Sequence, residues 1–298
     1  MSTPEALIPF AGCLTKDPSA DTSLVFIGIP DDSQSTYRWG CSRGPGLIRT
    51  VYDGRSFNST SESGADLAES VFDFGNIEPG DSWQSSAAHY QTSIESLLMD
   101  GKTPFVLGGD HAITIPAVEA MQILDEPIHV IQIDAHPDLY TEYQGVPHSH
   151  ACVAARILEM EHVVSLTQLG IRTLNDQQST QLVRFHDRLR ILFARDLTGP
   201  LPGLRHIPDD ALVYLSIDLD GLDPAYAPGV SHPVPGGLTS RQVLTFIQNG
   251  HWRLIGMDAV ELNPSADVNN LTAILAARLL HEGMGYAALR AAKSLSSD

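Results

Sequence analysis

The chain has only three cysteines in 298 residues, Cys13, Cys41 and Cys152, scattered and without a CxxC pair. That speaks against a disulfide framework and against a thiolate metal site. Basic residues are half as numerous as acidic ones, 18 Lys and Arg against 36 Asp and Glu, for a formal net charge of −18. Such a balance argues against nucleic acid as a partner and offers nothing to an anionic membrane. No apolar run approaches the length of a membrane span. The N-terminal MSTPEALIPFAGCLTKDPS lacks the basic-then-apolar order of a signal peptide, so cytoplasmic residence is the expectation. Repeats, low-complexity tracts and long linkers are missing too. The acidity itself suits two uses, solubility in a salty cytoplasm or attraction of a cationic substrate.

What the chain does have is a regular alternation. Hydrophobic content of 43% supports a sizeable core, and the length allows one large α/β domain or two small ones. Apolar, β-branched runs predict strands at 24–29, 71–75, 103–108, 128–134, 163–171, 190–194, 211–218 and 253–262. Helical patterns lie between them, among others at 82–100, 151–160, 239–248 and 270–284, with Thr239-Ser240 as an N-cap signal. Near-continuous apolar strands separated by helices predict an α/β fold of three layers, a parallel sheet of about eight strands flanked by helices. In such sheets ligands gather outside the carboxyl ends of the strands.

Three motifs fall at that edge. IHVIQIDAHPDLY carries Asp134, His136 and Asp138, and ALVYLSIDLDGLDPAYAPG carries Asp218 and Asp220. In an extended chain, residues i, i+2 and i+4 point to one side. FVLGGDHAIT adds Asp110 and His111 after a third apolar run. Carboxylates mixed with imidazole suit a divalent metal of the Mn, Fe, Co or Ni range better than structural zinc or calcium. Several carboxylates in one pocket repel unless cations neutralise them, which points to a two-metal hydrolytic centre.

The sequence resembles the ureohydrolases, the family of arginase and agmatinase. GGDHAIT, DAHPD and SIDLDGLDPAYAPG resemble its three metal-binding signatures in content, order and separation. The resemblance extends to GPGLIR near 44, SHACVAARI from 149, GIR at 170–172, GGLTSRQV from 236 and DAVELNP at 258–264. It therefore implies a single arginase-like domain over residues 1–298 and a homo-oligomer, trimer or hexamer. It also implies two Mn²⁺ ions per subunit, with Ni²⁺ or Co²⁺ as possible substitutes. By that likeness His111 and Asp138 would bind one ion, His136 and Asp220 the other, with Asp134 and Asp218 bridging. Two such ions roughly 3.5–4 Å apart lower the pKa of a shared water towards neutrality. The implied reaction is hydrolysis of a terminal guanidino group to urea and an amine. Asp138 would pass a proton to the leaving nitrogen, His150 would be a proton shuttle, and Glu261 would hydrogen-bond the guanidinium.

Blander readings hold elsewhere. Asp110 and Asp223 suit turn or cap roles. His148 and His150 both look like loop residues, and only the motif favours His150. His129, His162, His186, His206, His232, His251 and His281 are expected at the surface or in packing. Tyr140 stands where arginases carry an Asn that helps hold the substrate's α-carboxylate, which favours a substrate without one, agmatine first. Guanidinobutyrate, guanidinopropionate, guanidine and alkylguanidines are the alternatives. Gly221 replaces a cysteine and Ala112 a serine common in the family. An inactive metal-binding subunit and a one-zinc deacylase of related fold are the competing classes. The second is disfavoured because one metal does not need two histidines and four aspartates.

Overall fold

The computed structural model describes residues 9–15, 22–56 and 58–295. The N-terminal stretch read for a targeting signal lies largely outside them. Eight strands form one sheet: β1 (Leu24–Gly28), β2 (Val71–Asn76), β3 (Thr103–Leu107), β4 (Ile128–Ile133), β5 (Val163–Ile171), β6 (Leu189–Phe193), β7 (Leu212–Asp218) and β8 (Arg253–Val260). Their order is β2-β1-β3-β8-β7-β4-β5-β6, and every neighbouring pair is parallel. All eight predicted strands are present, with ends displaced by a residue or two.

The apolar alternation on each strand explains the layers. On β1, Leu24 and Phe26 enter one core, and Val25 and Ile27 the other. On β7, Val213, Leu215 and Ile217 face the first, Leu212 and Tyr214 the second. Helices α1 (Gly44–Val51), α6 (Ser240–Gln248) and α7 (Leu271–Leu295) cover the first face. The second is covered by α2 (Trp83–Met99), α3 (Thr114–Glu119) and α4 (Val153–Glu159), with α5 (Asp176–Arg184) beside its edge. A parallel sheet needs both covers because its strands are apolar on both sides. Inner strands β1 and β7 are buried throughout, whereas edge strands β2 and β6 are partly open.

Two local details matter. Thr239 caps α6 in a reciprocal box, its Oγ1 accepting the Gln242 N–H at 3.1 Å while Gln242 Oε1 accepts the Thr239 N–H at 2.9 Å. Helix α7 runs to Leu295 rather than ending near 284, although GMG lies in its middle. A Cβ on Gly283 would stand 2.4 Å from Met257 Sδ, so this glycine lets the helix press onto β8 instead of breaking it. Among the described residues no helix is long and apolar enough to cross a membrane.

Candidate metal centre and substrate cleft

The motif residues converge at the carboxyl ends of β3, β8, β7 and β4, four adjacent strands at the middle of the sheet. His111 follows β3 in a short 3-10 turn (His111–Ile113) capped by Asp110, whose Oδ1 accepts the Ala112 N–H at 3.0 Å. Asp134 is the first residue after β4. Asp218 ends β7 and caps the next turn, its Oδ1 accepting the Asp220 N–H at 2.9 Å. Gly221 closes that turn against β4, where a Cβ would lie 2.6 Å from the Asp134 nitrogen. Any larger residue at 221 would strike this backbone, so glycine is what lets the two strand ends touch.

Around His111 Nδ1 stand three carboxylate oxygens: Asp138 Oδ2 at 3.0 Å, Asp218 Oδ2 at 3.1 Å and Asp134 Oδ2 at 3.2 Å. None is placed to form a hydrogen bond, and this buried nitrogen has no hydrogen-bond partner. The other ring nitrogen explains why. Ser216 gives its one proton to Asp258 Oδ1 at 2.8 Å, so its oxygen accepts from His111 Nε2 at 3.1 Å. Nε2 is thereby committed as a donor, and Nδ1, among the carboxylate oxygens, is the atom left to ligate a cation. Asp258 is itself held by Thr114 and Tyr214, at 2.8 and 2.9 Å.

A second cluster lies alongside. His136 Nδ1 is 3.0 Å from Asp220 Oδ2 and 3.6 Å from Asp134 Oδ1. His111, Asp134 and Asp218 make one group able to hold a cation, and Asp134, His136 and Asp220 another, so Asp134 belongs to both. Gln132 fixes Asp134 from behind, Nε2 to Oδ2 at 2.7 Å, and is held in turn by Gln168. Four aspartates against two imidazoles leave excess negative charge even with both rings protonated. Burying an uncompensated charge costs several kcal/mol. In the polypeptide by itself burial, then the Asp134 charge, push Asp138 up to about 7. Burial followed by the Asp220 and Asp134 charges likewise raises Asp218 well above the carboxylate range. Burial would lower His136, yet Asp220 and Asp134 outweigh it and lift that imidazole to about 12. A buried ring nitrogen without a hydrogen-bond partner, set among mutually repelling carboxylates, is a donor set that fits two divalent cations.

Glu261 and His150 stand together beside the clusters. Glu261 Oε1 accepts the His111 N–H at 2.9 Å and contacts His150 Nδ1 at 2.8 Å. Thr36 Oγ1 meets His150 Nε2 at 2.8 Å. Burial works against both charges, but each offsets the other's penalty, so His150 rises to about 9 and Glu261 falls to about 2. Asp138 and Glu261 both adopt left-handed backbone, φ 48° and 65°. Non-glycine residues in that region are uncommon and cluster at functional sites.

These groups floor a cavity of about 210 Å³, whose walls include Thr36, Tyr140, Tyr143, Thr173, Gln178 and His232. Among the described residues no lysine or arginine lines it, and Glu261 is its only carboxylate outside the two clusters. Tyr140 is tied to the cap of α5 by Asn175 Nδ2 at 2.7 Å and packs on Tyr143. His232, expected at the surface or in packing, does pack, but in the wall of the cleft: its ring lies 5.1 Å from that of His150 and 6.0 Å from that of His136. Sequence reasoning also missed Cys41, whose thiol is 3.5 Å from Glu261 Oε2. His148, by contrast, stacks on Trp83 elsewhere. Asp223 shapes its loop, as its sequence context suggests, by accepting the Ala225, Gly236 and Gly237 N–H groups.

The scaffold and its donors define an α/β protein with a site for paired divalent cations. The chain matches the Arginase family over residues 22–285. It is 38% identical over 277 residues to "Arginase 1, mitochondrial" of Arabidopsis thaliana, spanning 88% of this chain and 80% of that one. It is 31% identical over 284 residues to "N(1)-aminopropylagmatine ureohydrolase" of Synechocystis, 90% of each. The agmatine ureohydrolase of Thermoplasma volcanium superposes with a TM-score of 0.83 at 30% identity, covering 97% of both chains. This chain belongs to the arginase family, and its three-layer sheet is the arginase-like fold.

Proposed function

We propose that the protein hydrolyses a terminal guanidino group to urea and an amine, with agmatine, giving putrescine, as the leading substrate. One observation carries this reading. Glu261, fixed by His150 and the His111 backbone, lies in the cavity wall beside the two clusters, the complement of a planar multi-donor cation. His111, Asp134, His136, Asp138, Asp218 and Asp220 would hold two Mn²⁺, with Ni²⁺ or Co²⁺ able to substitute. When bound, the pair would supply a hydroxide-strength nucleophile near neutral pH and offset the carboxylate charge.

The chain's own residues do the rest. Glu261 grips the guanidinium and aims its carbon at the cluster floor. Water's oxygen bonds to that carbon, the bond to the alkyl-bearing nitrogen breaks, and the proton passes through Asp138 to the leaving amine. His150, held between Thr36 and Glu261, exchanges protons with the cleft. The absence of a cationic wall residue, together with Tyr140, favours a tail without a carboxylate. Among the described residues the same wall offers agmatine's ammonium no second carboxylate, but neutral groups such as Tyr140, Tyr143, Thr173 and Gln178. That favours, as a second reading, guanidine or a short alkylguanidine.

Three buried free cysteines suit the reducing cytoplasm, and a homo-oligomer remains part of the proposal. A panel of guanidino compounds assayed for urea with the Mn²⁺-loaded protein tests the reading. Urea from agmatine supports it; no urea from any member of the panel overturns it.

A further inference from the structure

The cleft holds a third group of donors that neither cluster uses. His150, His232 and Glu261 each offer one ligand atom, and the three atoms lie within 4.8 Å of one another. They arrive from separate segments: His150 from the turn before α4, His232 from the loop after β7, Glu261 from the end of β8. Two are already held in place. Thr36 anchors the far nitrogen of His150, and the His111 N–H anchors Glu261. Such outer hydrogen bonds orient ligands for a metal. His232 is packed between the rings of Tyr37, His136 and His150, at centroid distances of 5.4, 6.0 and 5.1 Å. It makes no hydrogen bond among the described residues, so a ring nitrogen is available to a ligand.

Two imidazoles and one carboxylate are a donor set that takes zinc with a fourth position left to water. Softer nitrogen donors favour it over Mn²⁺ or Mg²⁺. We propose that His150, His232 and Glu261 form a third, inhibitory site for a zinc-class divalent cation, overlapping the place of the substrate guanidinium. On binding, the proton between His150 Nδ1 and Glu261 Oε1 leaves to solvent, and both atoms turn to the ion. Glu261 then has its charge engaged, and a dication stands where a guanidinium has to sit. Binding stands on geometry alone; its effect on turnover rests on the ureohydrolase reading.

The test starts from protein loaded with Mn²⁺ in both clusters and titrates it with Zn²⁺, counting both metals per chain after removal of free ions. The wild type should gain one zinc without losing manganese. His232→Phe, which keeps a ring of similar size, should retain its manganese, proving it folded, and bind zinc at least tenfold more weakly. Co²⁺ added in place of Zn²⁺ should give the strong visible absorption of a four-coordinate site in the wild type alone. In urea assays zinc should compete with the guanidino substrate, and at least tenfold less effectively in His232→Phe relative to that variant's own zinc-free rate. Zinc uptake matched by manganese loss, no extra zinc, or equal zinc in the Phe variant would overturn the site. Extra zinc without inhibition would overturn the inhibitory role. If no compound yields urea, the metal count still decides the site while the ureohydrolase reading falls.

Discussion

Asp134 spans the two histidines of the candidate centre: its Oδ2 lies 3.2 Å from His111 Nδ1 and its Oδ1 3.6 Å from His136 Nδ1. One carboxylate, seated on the residue after β4, therefore faces both clusters. Removing it should affect them together. Asp134→Asn is expected to lose both ions, whereas His111→Ala should mainly weaken one. Metal analysis after dialysis decides the matter. Equal partial loss from the two variants would argue against a shared ligand.

The support behind His111 should be nearly as important as the ligand. Ser216→Ala removes the acceptor of the Nε2 proton and leaves Asp258 short of a donor. Loss of such support typically weakens metal binding by about ten- to a hundredfold. Metal affinity measured by competition with a chelator checks this. Unchanged affinity would mean that the tautomer of His111 is set by something else.

Metal uptake should release protons. In the polypeptide alone, His136 is lifted to about 12 and His111 well above its usual range, in each case by aspartates that outweigh burial. Both rings are thus protonated at pH 7 and must be neutral to ligate. Loading both sites should release these protons and those that burial and like charge hold on Asp138 and Asp218, two or more per chain, so apparent affinity rises with pH. For the metal-free protein the sign is opposite. The raised His136 pKa contributes stability that is full below its unfolded value near 6.5 and is lost as pH rises towards 12. Calorimetry in buffers of different ionisation enthalpy measures the release. Metal binding that is independent of pH between 6 and 8 would contradict it.

Substrate preference follows from the wall of the cleft. Among the described residues no Lys or Arg lines it to receive an α-carboxylate, and Tyr140 occupies the position expected to be Asn in arginases. Agmatine should have a higher kcat/KM than arginine, by at least tenfold. Comparable values would refute the assignment of Tyr140.

Much of this was legible in the sequence because the inner strands are buried on both faces. Their continuous apolar runs mark them, and alternation past their ends puts Asp134 and His136, or Asp218 and Asp220, on one edge. Other parts depend on pairings between segments distant in the chain. His232 lies in a Pro- and Gly-rich loop, which the bridge of Val230 to Leu262 and the bonds from Asn263 to Gly229 and Ser231 bring against the end of β8. Thr36 and Cys41 reach the site from the segment after β1 in the same non-local way. The left-handed backbone of Asp138 and Glu261 has no sequence marker at all. The extension of α7 past Gly283 was hidden because a glycine that admits close packing reads like one that ends a helix.

Glu261 is central, since it ties the cation clusters to a guanidinium substrate. Glu261→Gln keeps the shape, removes the charge and puts an amide donor where an acceptor oxygen stands. Removing a charge-assisted hydrogen bond from a buried site costs a few kcal/mol, on the order of a hundredfold or more in kcat/KM. The decisive measurement is kcat/KM for urea release by Glu261→Gln together with its metal content. A guanidinium-gripping Glu261 predicts two bound metals and a loss of about a hundredfold or more. Two bound metals with nearly normal urea production would contradict it.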